Sequence, residues 1–181
     1  MSLFSALKRV LGGAAPIGPA DMLYAAVVRE ARRPDWYLAG EVPDTMDGRF
    51  DMIALVLSLL MLRLETETAG RADHPAAALS ALLAERFIAD MDGNLRQDGI
   101  GDQVVGKHIG RMMAALGGRL GAYRDAGGDD SALAAALARN MWRGVPPGDD
   151  ALEWCVRESR RLMAALTASD FAGIAAGTAP F

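Results

Sequence analysis

The chain has 181 residues, of which 51% are hydrophobic and 23% charged. That is enough apolar content for one packed domain and too much for a disordered chain. Lys and Arg number 19 against 23 Asp and Glu, a formal charge of -4, which argues against a nucleic-acid binder held by a general basic field and leaves only a local basic patch open.

In chain order, residues 2–11 read as a short amphipathic piece, with Leu3, Phe4, Leu7, Val10 and Leu11 on one side and Lys8 and Arg9 on the other. Two readings of it stand: it docks on the domain, or it makes a weak membrane-surface contact through its basic pair. The same pair interrupts the apolar region that a signal peptide needs, so the expected location is cytoplasmic, or peripheral at the inner face of the cytoplasmic membrane. Gly12, Gly13, Pro16 and Pro19 make a linker, and residues 1–18 stand apart from the main domain.

A helix is predicted from 19 or 20 to 32 and ends before Pro34. Residues 35–47 read as an irregular connection in which Trp36 and Tyr37 are either core or an exposed aromatic patch. A helix follows from between 44 and 48 to about 69. Its residues Ile53, Val56, Leu57, Leu60 and Leu64 match the helical template, and Leu55, Leu59 and Leu62 add a second apolar side. This is the expected central helix. Its apolar run 52–62 is about 11 residues, far short of the roughly 20 that a spanning helix needs.

Further helices are predicted from Pro75, well placed at a first helical position, to about 91, and from 102 to 125, ended by Gly127 and Gly128. Residues 90–102 between them read as turn-rich. Asp129 or Asp130 caps the next helix, which ends before Gly144, and Asp149 or Asp150 caps the last, to about 168. No period-2 alternation or solenoid repeat is present. The fold class is all-α: a single-domain bundle of about six to seven helices over 19–170, with a loose tail at 171–181.

The helix over 102–125 carries Gly106, Gly110, Gly117 and Gly121 within an arc of about 60° at 100° per residue. Val105, Ile109, Met112, Met113, Leu116 and Leu120 adjoin them. Four helical glycines cost about 4 kcal/mol relative to alanine, so something must offset them. Tight packing inside the fold is the plainer reading. The functional one is a smooth groove for a partner helix, with Gly106, Gly110, Met113, Gly117 and Gly121 as its residues.

Other candidates read as structural. Asp90, Asp92 and Asn94 imitate the opening of a calcium loop, but Leu95 stands where the loop requires glycine and Gly101 where it requires a bidentate Glu. Asp44, Asp47, Arg49 and Asp51 cluster at a helix start, where capping and dipole effects account for them. His74 and His108 read as surface or packing residues, and Cys155 as core. A lone cysteine and two histidines offer no disulfide, thiolate cluster or multi-histidine site. No metal, cofactor or catalytic constellation is expected.

Two long motifs stand out. One is Pro43-Asp44-Thr45-Met46-Asp47-Gly48-Arg49-Phe50-Asp51-Met52, followed by a Leu-rich helix ending in Arg63-Leu64. The other runs from Phe87 through Asp90, Met91, Asp92, Asn94, Leu95, Arg96, Asp98, Gly99, Ile100 and Gly101 to Asp102. With Tyr123, Arg139 and Asn140 downstream, the chain resembles a bacterial member of the ubiquinol–cytochrome c chaperone family over about 24–142. Gln97 departs from the motif, which usually carries an acidic residue there.

The resemblance implies an all-helical, non-catalytic assembly factor for respiratory complex III with newly made cytochrome b as its client. Mitochondrial relatives also imply a small partner protein and the ribosome as partners. The motif residues Pro43, Asp44, Asp47, Gly48, Arg49, Phe50, Asp90, Asp92, Asn94, Leu95, Arg96, Gly99, Gly101 and Asp102 carry it. Arg49 is expected to pair with a motif carboxylate and tie the two motif loops together. Two other functions stand beside this one: a helical enzyme or carrier for a hydrophobic ligand such as a quinone or lipid, which needs an enclosed apolar pocket, and a general interaction module.

Overall fold

The computed structural model describes residues 17–97 and 102–181, with the side chains of 94–97, 102–105 and 107 left out. The amphipathic piece at 2–11 lies outside the described residues. Among those described the chain is all-α: α1 (Pro19–Ala31), α2 (Pro34–Leu38), α3 (Met46–Thr68), α4 (Pro75–Gln97), α5 (Asp102–Ala126), α6 (Asp130–Met141), α7 (Asp149–Ala168) and α8 (Phe171–Ala175).

The apolar content of α3 decides the architecture. Its residues 51–60 are buried without interruption, because a helix that is apolar all round has to be covered on every side. Helices α1, α4, α5, α6 and α7 all pack against it. Ser58 sits in this dry interior and donates its hydroxyl to the Ala54 carbonyl at 2.6 Å, which satisfies the one hydroxyl on that stretch. Leu23 and Val27 of α1, Phe87 of α4, Leu116 of α5, Leu137 of α6 and Leu162 of α7 complete the core.

Several ends are set as the local chemistry requires. Asp129 caps α6 by accepting from the Ser131 and Ala132 amides at 2.8 and 3.2 Å. Helix α7 differs from the sequence reading: its cap is Gly148 and neither Asp149 nor Asp150, which lie in its first turn, where a negative charge is favourable beside the positive end of the helix dipole. His74 Nδ1 accepts from the Ala76 amide at 3.2 Å, ahead of Pro75 at the start of α4.

Three further segments differ from the sequence reading. The connection after Pro34 contains the one-turn helix α2, which buries Trp36 completely and sets it edge-on to Trp154, ring centroids 5.2 Å apart. Tyr37 is half-buried and donates to the Ala31 carbonyl at 2.9 Å. Helix α4 runs on to Gln97 instead of ending near 91, so Asp90, Asp92 and Asn94 lie on a helix and not in a loop. The stretch expected to be loose carries α8, with Ile174 buried and Phe171 against His74 at 5.2 Å.

Candidate docking site: an arginine-lined cleft and a bare helix flank

The first motif folds as a collar over the start of α3. Thr45 caps the helix by accepting from the Gly48 amide at 3.1 Å. This presses Pro43 onto the first turn so closely that a Cβ on Gly48 would lie 1.9 Å from the Pro43 carbonyl oxygen. Only glycine fits there. One turn further along, Asp51 points inward and is 1% exposed. It is therefore not a helix cap, as the sequence suggested, but a buried anion.

Two arginines answer it. Arg119, buried on α5, reaches Asp51 with Nη2. The same guanidinium donates to the Ala115 and Asn140 carbonyls at 3.2 and 3.3 Å and lies 5.2 Å over the Phe50 ring, so it is held by charge, hydrogen bonds and the aromatic face together. Arg143, from the α6–α7 connection, bridges Asp51 and Asp47 at 3.2 Å each. Its backbone is left-handed, φ 56°, an uncommon setting for a side chain of this size. Burial pushes the Asp51 carboxyl up to about 6 against the pull of the two guanidiniums. At neutral pH it remains a carboxylate.

These residues form one wall of a cleft of about 400 Å³. Phe50, Ile53, Met91 and Met112 give it an apolar floor, and Arg32, Arg49, Arg111 and His108 stand around it. A wider groove of about 830 Å³ runs along Leu59, Tyr123 and Met163. Its bordering charges are already paired, Arg124 with Glu65 at 2.7 Å and Arg63 with Glu67 at 2.6 Å, so it offers less unspent binding capacity.

The two motifs meet, but not through Arg49. That side chain pairs with Asp44 of its own loop at 2.7 Å, in an exposed bridge. The motifs are joined instead by Phe50 against Phe87, centroids 5.8 Å apart. From the second motif, Asp90 accepts from the Tyr24 hydroxyl at 2.8 Å and fastens α4 to α1. Burial, followed by the Asp90 charge, raises the Tyr24 phenol well above its ordinary value. Gly99 and Gly101 lie outside the described residues, as do the side chains of Asn94, Leu95, Arg96 and Asp102.

The α5 glycines do not pack inside the fold. A Cβ added at Gly106, Gly110, Gly117, Gly118 or Gly121 would meet nothing within 4 Å. The four glycines of the stripe lie on the side of α5 opposite His108, Arg111, Met112, Ala115 and Arg119, as 100° per residue requires. Met113 is half-buried against the core. One helix therefore presents an arginine-lined cleft on one side and bare backbone on the other.

Among the described residues no group of three or more His, Cys, Asp or Glu side chains could hold a metal ion. Cys155 is buried over the Gly40 carbonyl at 3.8 Å, and burial pushes its thiol up to about 12, the opposite of a reactive thiolate. No described helix is long and apolar enough to cross a membrane.

No curated protein matches the chain. The crystal structure of the Cbp3 homolog from Brucella abortus matches with TM-score 0.76 at 30% identity, over 97% of this chain and 94% of that one. The ubiquinol–cytochrome C chaperone family model matches residues 39–181. The chain belongs to the ubiquinol–cytochrome c chaperone family.

Proposed function

We propose that the protein is a non-catalytic assembly chaperone that binds newly made cytochrome b and promotes assembly of ubiquinol–cytochrome c reductase, working at the inner face of the cytoplasmic membrane. Family membership supports the chaperone role. The observation that carries the client-binding reading is the bare flank of α5. Helical glycines that meet no neighbour lower helix stability by about 1 kcal/mol each with no internal packing to offset it. A membrane-spanning client helix gains most from such a surface, because small residues let two backbones approach closely. The ribosome and a small partner protein, known partners of mitochondrial relatives, are further candidates for the remaining faces.

The test is to cross-link the tagged protein to cytochrome b in membranes and to measure cytochrome b haem in a strain lacking the gene. Haem b is expected to fall, and Gly110→Leu or Gly117→Leu to abolish the cross-link without lowering the thermal midpoint. Normal haem b with no cross-link overturns the reading.

A further inference from the structure

We propose that the arginine-lined cleft and its rim dock on an anionic phospholipid surface, the arginines taking lipid phosphates and the rim aliphatics entering the headgroup boundary. This deepens the peripheral placement above and rests on it for location only.

The cleft is the middle of a larger continuous surface. Arg32 and Arg49 also line the neighbouring depression that holds Tyr37 and Leu38. On the other side, Asp47, Asp51 and Arg143 also line the depression that holds Trp142 and Val145. Three of the large exposed aliphatic residues thus ring one site: Leu38 at 77%, Met46 at 57% and Val145 at 79% exposure. A single exposed aliphatic residue is ordinary. Three of the six large hydrophobic residues exposed among the described residues stand around this one cleft, which sets this face apart.

The positive charge around the cleft is only partly matched. Of five arginines around the cleft, Arg49, Arg119 and Arg143 are matched by Asp44, Asp47 and Asp51. Arg32 and Arg111 make no ion pair among the described residues, so two cations are left over in a chain of formal charge -4. A guanidinium is suited to phosphate oxygens, which it binds through two parallel N–H donors. The floor of Phe50, Met91 and Met112 offers apolar contact to what lies below a phosphate, which a soluble anion does not have.

The order of these features separates a lipid surface from a protein partner. Protein interfaces carry an apolar centre and a polar rim. Here the cations ring an apolar floor, but outside them lie exposed aliphatic residues, Leu38, Met46 and Val145, where a protein interface would be polar. That outer apolar ring seats arginines at headgroup level while the side chains around them enter the acyl boundary. Because the bare glycine flank lies on the opposite side of α5, docking here leaves that flank uncovered.

The test is flotation of the full chain with vesicles of phosphatidylcholine alone and of phosphatidylcholine containing phosphatidylglycerol. Binding is expected only to the anionic vesicles and is expected to weaken with salt. Combining Arg32→Glu with Arg111→Glu is expected to lower partitioning about tenfold or more. Combining Leu38→Ser with Val145→Ser is expected to lower it by a similar factor. All four side chains are exposed, and an unchanged thermal midpoint shows that the fold is intact. Failure to float with anionic vesicles overturns the proposal. So does undiminished flotation of the charge-reversed protein, which would place lipid contact on another segment. Binding of soluble polyglutamate without vesicle binding would reassign the cleft to an acidic peptide. None of these outcomes touches the client reading, because no cytochrome b is present.

Discussion

Gly48 and the α5 glycines are the same residue used for opposite reasons. At Gly48 the surrounding backbone leaves no room for a methyl group, since the Pro43 carbonyl oxygen would be 1.9 Å from it. Along α5 the glycines face open space. The first region is over-determined: Thr45, Gly48, Asp51, Arg119 and Arg143 hold one another in place. The second is unfinished by the chain itself. Where packing requires a glycine, it belongs to the fold. Where nothing requires it, its cost to the helix points outside the molecule.

Substitutions can break or sharpen this contrast. The largest effect is expected from Asp51→Ala, which leaves Arg119 buried without its carboxylate. A loss of about 3 kcal/mol in denaturant-induced unfolding is expected, and a loss below about 1 kcal/mol would show that Arg119 re-pairs easily. Gly48→Ala forces the Pro43 loop off α3 and is expected to cost about 1–3 kcal/mol in the same measurement.

The combination of Gly110→Ala, Gly117→Ala and Gly121→Ala goes the other way. It is expected to stabilise the protein by about 1–3 kcal/mol, because helix propensity improves and each new methyl meets no neighbour. Destabilisation would return these glycines to internal packing. The smallest effect is on pH dependence. Asp51 titrates near 6 in the folded protein, above its ordinary value of 3.8, so the folded state binds the extra proton between those values. Its contribution is full below about pH 4 and is lost as pH rises through about 6. As pH rises from about 4 to about 6 the wild type is expected to lose stability relative to Asp51→Asn in unfolding curves, and the two are expected to run parallel above pH 7.

The sequence made the helices legible because α3, α5 and α7 carry plain periodicity and their ends carry Asp, Pro and Gly. Asp129 was readable as a cap because an aspartate ahead of an alanine-rich run has few other roles. The course of α4 beyond 91 was less readable. Gly93 and the acidic residues argue for a turn, while the long-range bond from Tyr24 to Asp90 supports helix. Arg119 and Arg143 are not legible as site residues for a similar reason. Their partner lies 68 and 92 positions away, and no local spacing pairs them.

One further signal lies in the sequence itself. Asp51 lies four and seven residues before Leu55 and Ser58, on the most buried side of α3, so its charge needed an internal partner. The glycine stripe itself was legible, but its direction was not. Periodicity gives the width of a face and not what lies against it.

The distribution of tryptophan has a practical consequence. All three tryptophans of the chain gather near the α2 end of the bundle. Trp36 and Trp154 share an edge-to-face contact, and Trp142, which donates to the Glu41 carbonyl at 3.1 Å, precedes Arg143 of the cleft. Intrinsic fluorescence is therefore a built-in reporter for events at the cleft, while the glycine flank of α5 is optically silent. A binding event that leaves the emission unchanged has to be sought on that flank with an added label.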